Sequence, residues 1–199
     1  MGWDLLGFHT NSIFDRDGTD AAGILLYDSL ELAARRGPYL PLESANAYRM
    51  QDIYGSDMGT FSETNFVLCD VYTRNMPTGE KVGMPVLYYK ADTANNQHEY
   101  IDGITPFDNK GNIYNCSDNQ ELLDLGKPWV VGGAGTEGKQ HRLSEPERFY
   151  WNTTNEKITT ADRPYRADSY ILISAGFDGE FGTADDICNF EWKYRELLP

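Results

Sequence analysis

Asp168-Ser-Tyr-Ile-Leu-Ile-Ser-Ala-Gly-Phe-Asp178-Gly-Glu-Phe-Gly-Thr-Ala-Asp185-Asp186-Ile-Cys-Asn-Phe190 is the stretch on which the reading of this chain turns. A β-type run, Tyr170 to Ser174, leads into a loop containing Gly176, Gly179 and Gly182. The loop carries three carboxylates, Asp178, Asp185 and Asp186, and closes into a second apolar run from Ile187 to Phe190. Three like charges in one short loop repel unless a cation sits among them. Ca²⁺ suits such a loop, because it takes six to eight oxygens from carboxylates and backbone carbonyls in irregular geometry. Glycines let the chain wrap tightly enough to turn carbonyls inward. A solvated acidic hairpin loop, in which Asp and Gly are common for their turn chemistry, fits the composition equally well.

Working outward, the rest of the chain predicts an α+β domain. Asp20 is placed to cap a helix over residues 20–36, good helix formers fill Ala21 to Arg36, and Gly37-Pro38 stops it. Ala21, Ile24, Leu25, Leu32 and Ala33 give that helix an apolar stripe, and Arg35 and Arg36 favour its C-terminal end. Strands are expected over 66–72, 82–90, 112–115, 170–174 and 187–192. The first two, joined through Asn75-Met-Pro-Thr-Gly79, read as an antiparallel hairpin. Polar, loop-rich insertions occupy 91–118 and 132–168. The second contains Ser144-Glu-Pro-Glu147, whose capping-box spacing predicts a short helix through Trp151. No internal repeat or linker divides the chain, so its 199 residues read as a single domain, 1–199, with the sheet and its insertions in 66–199 and the loop at 173–187.

Composition narrows the function classes. Hydrophobic residues at 40% and aromatic residues at 13% are enough for a packed core. A net charge of −14 disfavours nucleic acid and anionic membrane surfaces, both of which require cationic patches. Cys69, Cys116 and Cys188 form no Cys-x-x-Cys pair, which argues against a zinc or redox site. Buried apolar thiols and a single bridge with one thiol left over both remain open. His9, His98 and His141 are scattered, and Ser174-Ala-Gly176 lacks the nucleophile elbow of a serine hydrolase. Gly132-Gly-Ala-Gly135 lacks the spacing of a dinucleotide fingerprint. Asp15-Arg-Asp17-Gly-Thr-Asp20 fails as an EF-hand, since its sixth and twelfth positions hold Asp20 and Leu26.

The loop's arrangement, strand-Ser-x-Gly followed by Asp178 and by carboxylates seven and eight positions on, resembles the C-terminal calcium loop of the type II secretion major pseudopilins. The tail from Arg163 to Gly179 is similar to pseudopilin-like proteins of the planctomycete-type, prepilin-type family. Gly83-Met-Pro-Val-Leu-Tyr-Tyr-Lys90 resembles that family's Gly-x-Pro-aliphatic-Tyr strand, and Gly23 to Tyr39 its preceding helix and turn. Phe177 stands where family loops often have Pro. The resemblance implies a pilin-like fold, with the N-terminal helix packed on an antiparallel sheet. It also implies a structural subunit that assembles with other pseudopilin subunits into a periplasmic or cell-surface filament. The expected Ca²⁺ ligands are the side chains of Asp178, Asp185 and Asp186, with backbone carbonyls from Ile173, Glu180 or Thr183.

The family's N-terminal segment, a Gly-Phe-Thr-Leu-Ile-Glu-like cleavage site with a long hydrophobic helix, is not found in these residues. No window reaches the roughly 18–20 apolar residues of a membrane span, and no signal sequence is evident. Taken alone, the chain reads as soluble and cytoplasmic. Under the resemblance it is the soluble portion of a protein anchored in the inner membrane by a helix upstream. Two other classes compete with the structural reading. A secreted carbohydrate- or protein-binding module could use Phe149, Tyr150, Trp151, Tyr165 and Tyr170. A hydrolase could use Asp185 and Asp186, but adjacent carboxylates suit a wrapped metal loop better than an acid and a base facing across a substrate. A non-enzymatic protein is expected.

Overall fold

The computed structural model describes residues 46–63, 65–98, 111–132, 136–192 and 194. The helix expected over 20–36 and the Asp15–Asp20 turn lie outside the described residues. What is described is a mixed α+β arrangement of short antiparallel sheets and short helices.

The principal sheet has three antiparallel strands in the order β5 (Leu87–Lys90), β6 (Tyr170–Ser174) and β7 (Ile187–Cys188). Strand β6 alternates as a half-buried strand must. Ile171 and Ile173 are fully buried, while Tyr170, Leu172 and Ser174 face the other way with partial exposure. Ile171 pairs with Tyr89, and Ile173 pairs with both Leu87 and Cys188. The buried face packs into one apolar cluster with Tyr89, Phe149 and Phe181. Burying an aliphatic side chain of this size stabilises the fold by about 1.5–3 kcal/mol.

The hairpin expected from 66–72 and 82–90 forms only in part, at one bridge and at its tip, and its two longer strands pair elsewhere. Strand β2 (Phe66–Leu68) gives way after Cys69, which bridges Pro85. The tip re-pairs as β3 (Arg74–Asn75) with β4 (Lys81–Val82). The break has a cause in Asp70, whose Oδ1 accepts from the N–H groups of Tyr72 at 3.1 Å and Met84 at 3.2 Å, so a side chain replaces ladder bonds. Gly83 permits the close approach, since a Cβ there would lie 2.2 Å from the Asp70 carbonyl oxygen. Strand β2 also pairs with β1 (Ala47–Arg49). There α1 (Met50–Tyr54) begins, capped by the Asp52 carboxylate accepting from the Arg49 N–H at 3.2 Å. Gly55, at φ 60°, ends the helix.

Three local expectations need correction. Residues 112–115 form no strand. Asn112 makes one isolated bridge to Gln97, and the Asn115 side chain accepts from Ser117 N–H at 2.9 Å, turning the chain into a 3₁₀ segment, Cys116–Asn119, followed by α2 (Gln120–Asp124). The expected strand over 187–192 stops at Cys188, because Asn189 Oδ1 accepts from Leu172 N–H at 3.0 Å in place of a backbone carbonyl. The chain then curls back over the loop. The helix expected after Ser144 is α3 (Pro146–Thr153), but its flanking residue is Glu145. The Ser144 hydroxyl is buried without a partner, so no capping box forms. Pro146 starts the helix instead, where a missing N–H costs nothing. Among the described residues, no helix is long and apolar enough to cross a membrane.

Candidate metal centre in the C-terminal loop

Three positive-φ glycines shape the loop between β6 and β7, and Gly176 is the most constrained. At φ 62° its missing side chain leaves room for the Asp185 carbonyl oxygen, which a Cβ would approach to 2.2 Å. The tight wrap folds the carboxylates inward onto the loop's own amides. Asp178 N–H donates to Asp185 Oδ2 at 2.9 Å, Glu180 N–H to Asp178 Oδ1 at 2.7 Å, and Gly182 N–H to Asp186 Oδ2 at 2.7 Å. The Thr183 hydroxyl donates to Asp185 Oδ1 at 2.7 Å and lies 3.4 Å from Asp186 Oδ1.

Of the expected ligands, the Asp185 and Asp186 carboxylates meet at the Thr183 hydroxyl, and Asp178 joins Asp185 through its backbone N–H, whereas the atom expected from Thr183 is its carbonyl. The Glu180 carbonyl faces the same group, 3.2 Å from the Thr183 hydroxyl. The Thr183 carbonyl accepts from the Trp192 indole N–H at 2.8 Å. Ile173 stands apart from them in the central strand, in register with Leu87 and Cys188, where backbone groups point along the ladder.

The electrostatics of the turn are unfavourable as they stand. Asp186 is 6% exposed, and burial, reinforced by Asp178 and Asp185, pushes its carboxyl up to about 8. Asp178 is also raised, by desolvation first and by the nearby Asp185 charge. Desolvation opposes ionisation of Asp185 too, but the Thr183 hydroxyl and the Asp178 amide outweigh it and hold Asp185 below the usual carboxylate range. Among the described residues, no Lys or Arg pairs with any of the three, whose bonds are those of the loop itself. Glu180, which could have added a fourth charge, is drawn outward by Lys127 at 2.7 Å and Arg142 at 3.2 Å. Among the described residues, no three His, Cys, Asp or Glu side chains gather as a group that could hold a metal ion, so a hard cation is suggested here only by the loop's all-oxygen composition.

The other candidate chemistries find less support. His98 and His141 are buried, and burial pushes both down to about 3, so each is neutral near pH 7. His98 Nε2 lies 2.7 Å from the Thr153 hydroxyl, and His141 Nδ1 accepts from Phe181 N–H at 3.3 Å. Phe149, Tyr150 and Tyr165 belong to the interior, leaving Trp151 and Tyr170 as the exposed rings of the supposed sugar-binding face. Cys69, Cys116 and Cys188 form no disulfide with one another, and Cys69 and Cys116 are buried and Cys188 half-buried. An open groove of about 420 Å³ between α1 and the β3–β4 turn is lined by Asp52, Glu63, Thr78 and Glu80, and none of its lining residues belongs to the loop. No family model, no curated protein and no solved structure matches the chain.

Proposed function

We propose that this chain is the globular part of a pseudopilin-like structural subunit, with a pilin-like arrangement in which the helix over 20–36 packs on the sheet and Ca²⁺ staples the loop between β6 and β7. The observation that carries this reading is the gathering of Asp178, Asp185 and Asp186 in one loop with no cationic side chain paired to them among the described residues. Asp178, Asp185 and Asp186 would hold the ion through carboxylate oxygens, with the Glu180 and Thr183 carbonyls beside them. The ion would supply the positive charge that lets all three ionise together. The sequence resemblance of the tail from Arg163 to Gly179 supports the same assignment. In this reading the subunit sits in the periplasm or at the cell surface, is tethered to the inner membrane by a hydrophobic helix upstream, meets other pseudopilin subunits and performs no catalysis.

Expression from the native reading frame, with whatever precedes these residues included, tests the assembly role. A Gly-Phe-Thr-Leu-Ile-Glu-like segment followed by about 20 apolar residues, sending the protein to the membrane fraction, is the expected result. A frame with no such segment, and a protein that never reaches the membrane, would remove the filament role.

A further inference from the structure

The loop's outer edge is gripped by side chains from two distant parts of the chain. Arg74, at the start of β3, donates to the Phe177 carbonyl. Its guanidinium carbon lies 4.8 Å from the centre of the Trp129 ring and 5.9 Å from that of Phe177. Arg74 Nε is buried without a hydrogen-bond partner, so the stacked position is held although it leaves a donor unsatisfied. Gly179 lies against the same pair, since a Cβ there would meet Trp129 Cη2 at 2.5 Å and Arg74 Nε at 3.0 Å. One residue further on, Lys127 and Arg142 bind opposite oxygens of the Glu180 carboxylate at 2.7 and 3.2 Å. Leu143 N–H then donates to the Phe181 carbonyl at 3.1 Å. The grip thus runs from Phe177 to Phe181, on the stretch whose amides bind the carboxylates on the inner side.

We propose that Arg74, Lys127 and Arg142 form a positioning bracket, which holds the loop in its ion-ready conformation before any ion arrives and thereby sets the affinity for calcium. This inference deepens the calcium reading and rests on it for the affinity, though not for the loop's order. Positioning and simple charge give opposite signs. Removing a cation beside an acidic loop should tighten cation binding by Coulomb's law. Losing residues that orient metal ligands typically weakens it by about 10–100-fold.

The test compares the wild-type chain with Lys127→Met, Arg74→Met and the conservative Lys127→Arg. Circular dichroism in chelator verifies that each fold survives. Amide exchange of Asp178, Glu180 and Gly182 is measured in chelator, and calcium affinity by calorimetric titration. The bracket predicts protected amides in the wild type and lost protection in both Met variants. It also predicts calcium binding about tenfold or more weaker in those variants, with Lys127→Arg close to wild type. Retained protection with unchanged or tighter calcium binding in the Met variants would overturn it, as would unprotected loop amides in the wild type. If the wild type binds no calcium while Lys127→Met still loses protection, the calcium reading fails and the bracket stands as a device that orders the loop.

Discussion

The Asp178 backbone N–H donates to the Asp185 carboxylate at 2.9 Å, which ties the Asp185 side chain to the backbone of the residue whose own carboxylate repels it. Asp186 is buried beside these two exposed residues, and burial favours its protonated form. The fold keeps this arrangement through glycines, loop amides and the outer ion pairs of Glu180. The consequences are measurable.

Asp186→Asn should separate the charge of the loop from its shape. Asn keeps an oxygen to accept from Gly182 N–H, a bond of 2.7 Å in the present chain. In chelator near pH 7 the variant should be more stable than wild type, because Asn escapes the cost of keeping Asp186 protonated where the unfolded chain has released its proton. Stabilisation by calcium should vanish. Paired thermal melts of wild type and variant, each with calcium and with chelator, measure both effects.

The calcium-free chain should lose stability between about pH 7 and 8. The folded chain holds Asp186 up at about 8, against roughly 4 when unfolded. Over that interval the native state binds a proton that the unfolded state has released. Stability from this group is complete below about pH 4 and lost as pH rises through 8, at up to about 1.4 kcal/mol per pH unit. His98 and His141 act in the opposite sense. Burial lowers them to about 3, so their contribution is present above about pH 6.5 and lost as pH falls towards 3. At pH 6.5 each is still half charged in the unfolded chain, so the two offset Asp186 there, and its decline dominates as pH rises above about 7. Denaturant titrations across this range should show the decline in chelator, and calcium should abolish it, because the ion competes better with the proton as pH rises.

Gly176→Ala should cost more than an ordinary left-handed glycine. Its Cβ would collide with the Asp185 carbonyl at 2.2 Å, whereas Gly138, at φ 76°, has nothing within 4 Å. Gly138→Ala should cost about 1–2 kcal/mol, the left-handed penalty alone. Gly176→Ala should exceed that and also weaken calcium binding, since Asp185 must move. Equal costs at the two sites would contradict the close approach.

The sequence made some of this legible and hid the rest. Strand β6 is readable because Ile171 and Ile173 alternate with more polar neighbours, and the carboxylates of its loop lie within nine residues of one another, from Asp178 to Asp186. Helix α1 spans five residues, too few for a 3.6-residue period to register, and its cap comes from Asp52 inside the helix. Asp70 looks like any polar residue after a strand, yet its carboxylate breaks the ladder. The grip on Glu180 joins residues 53 and 38 positions away, a distance at which no local spacing carries a signal. Ser144 shows the opposite error, a correct helix inferred from a cap that never forms.

Trp192 offers a built-in reporter. Its indole donates to the Thr183 carbonyl at 2.8 Å, beside the three carboxylates. Calcium addition should change tryptophan emission, and Trp192→Phe should remove that change while leaving calcium binding within about a factor of ten. An emission change that persists in the variant would place the responding tryptophan elsewhere.

Calorimetric titration of Ca²⁺ into the chelator-stripped chain near pH 7 tests the central claim most directly. The account predicts one saturable ion per chain, abolished by Asp186→Asn, and about 2.7 kcal/mol of added stability at a hundredfold excess over the dissociation constant. No saturable binding up to millimolar calcium, with the loop amides still protected, would contradict it and leave the three carboxylates to be held by protons and the loop's own hydrogen bonds.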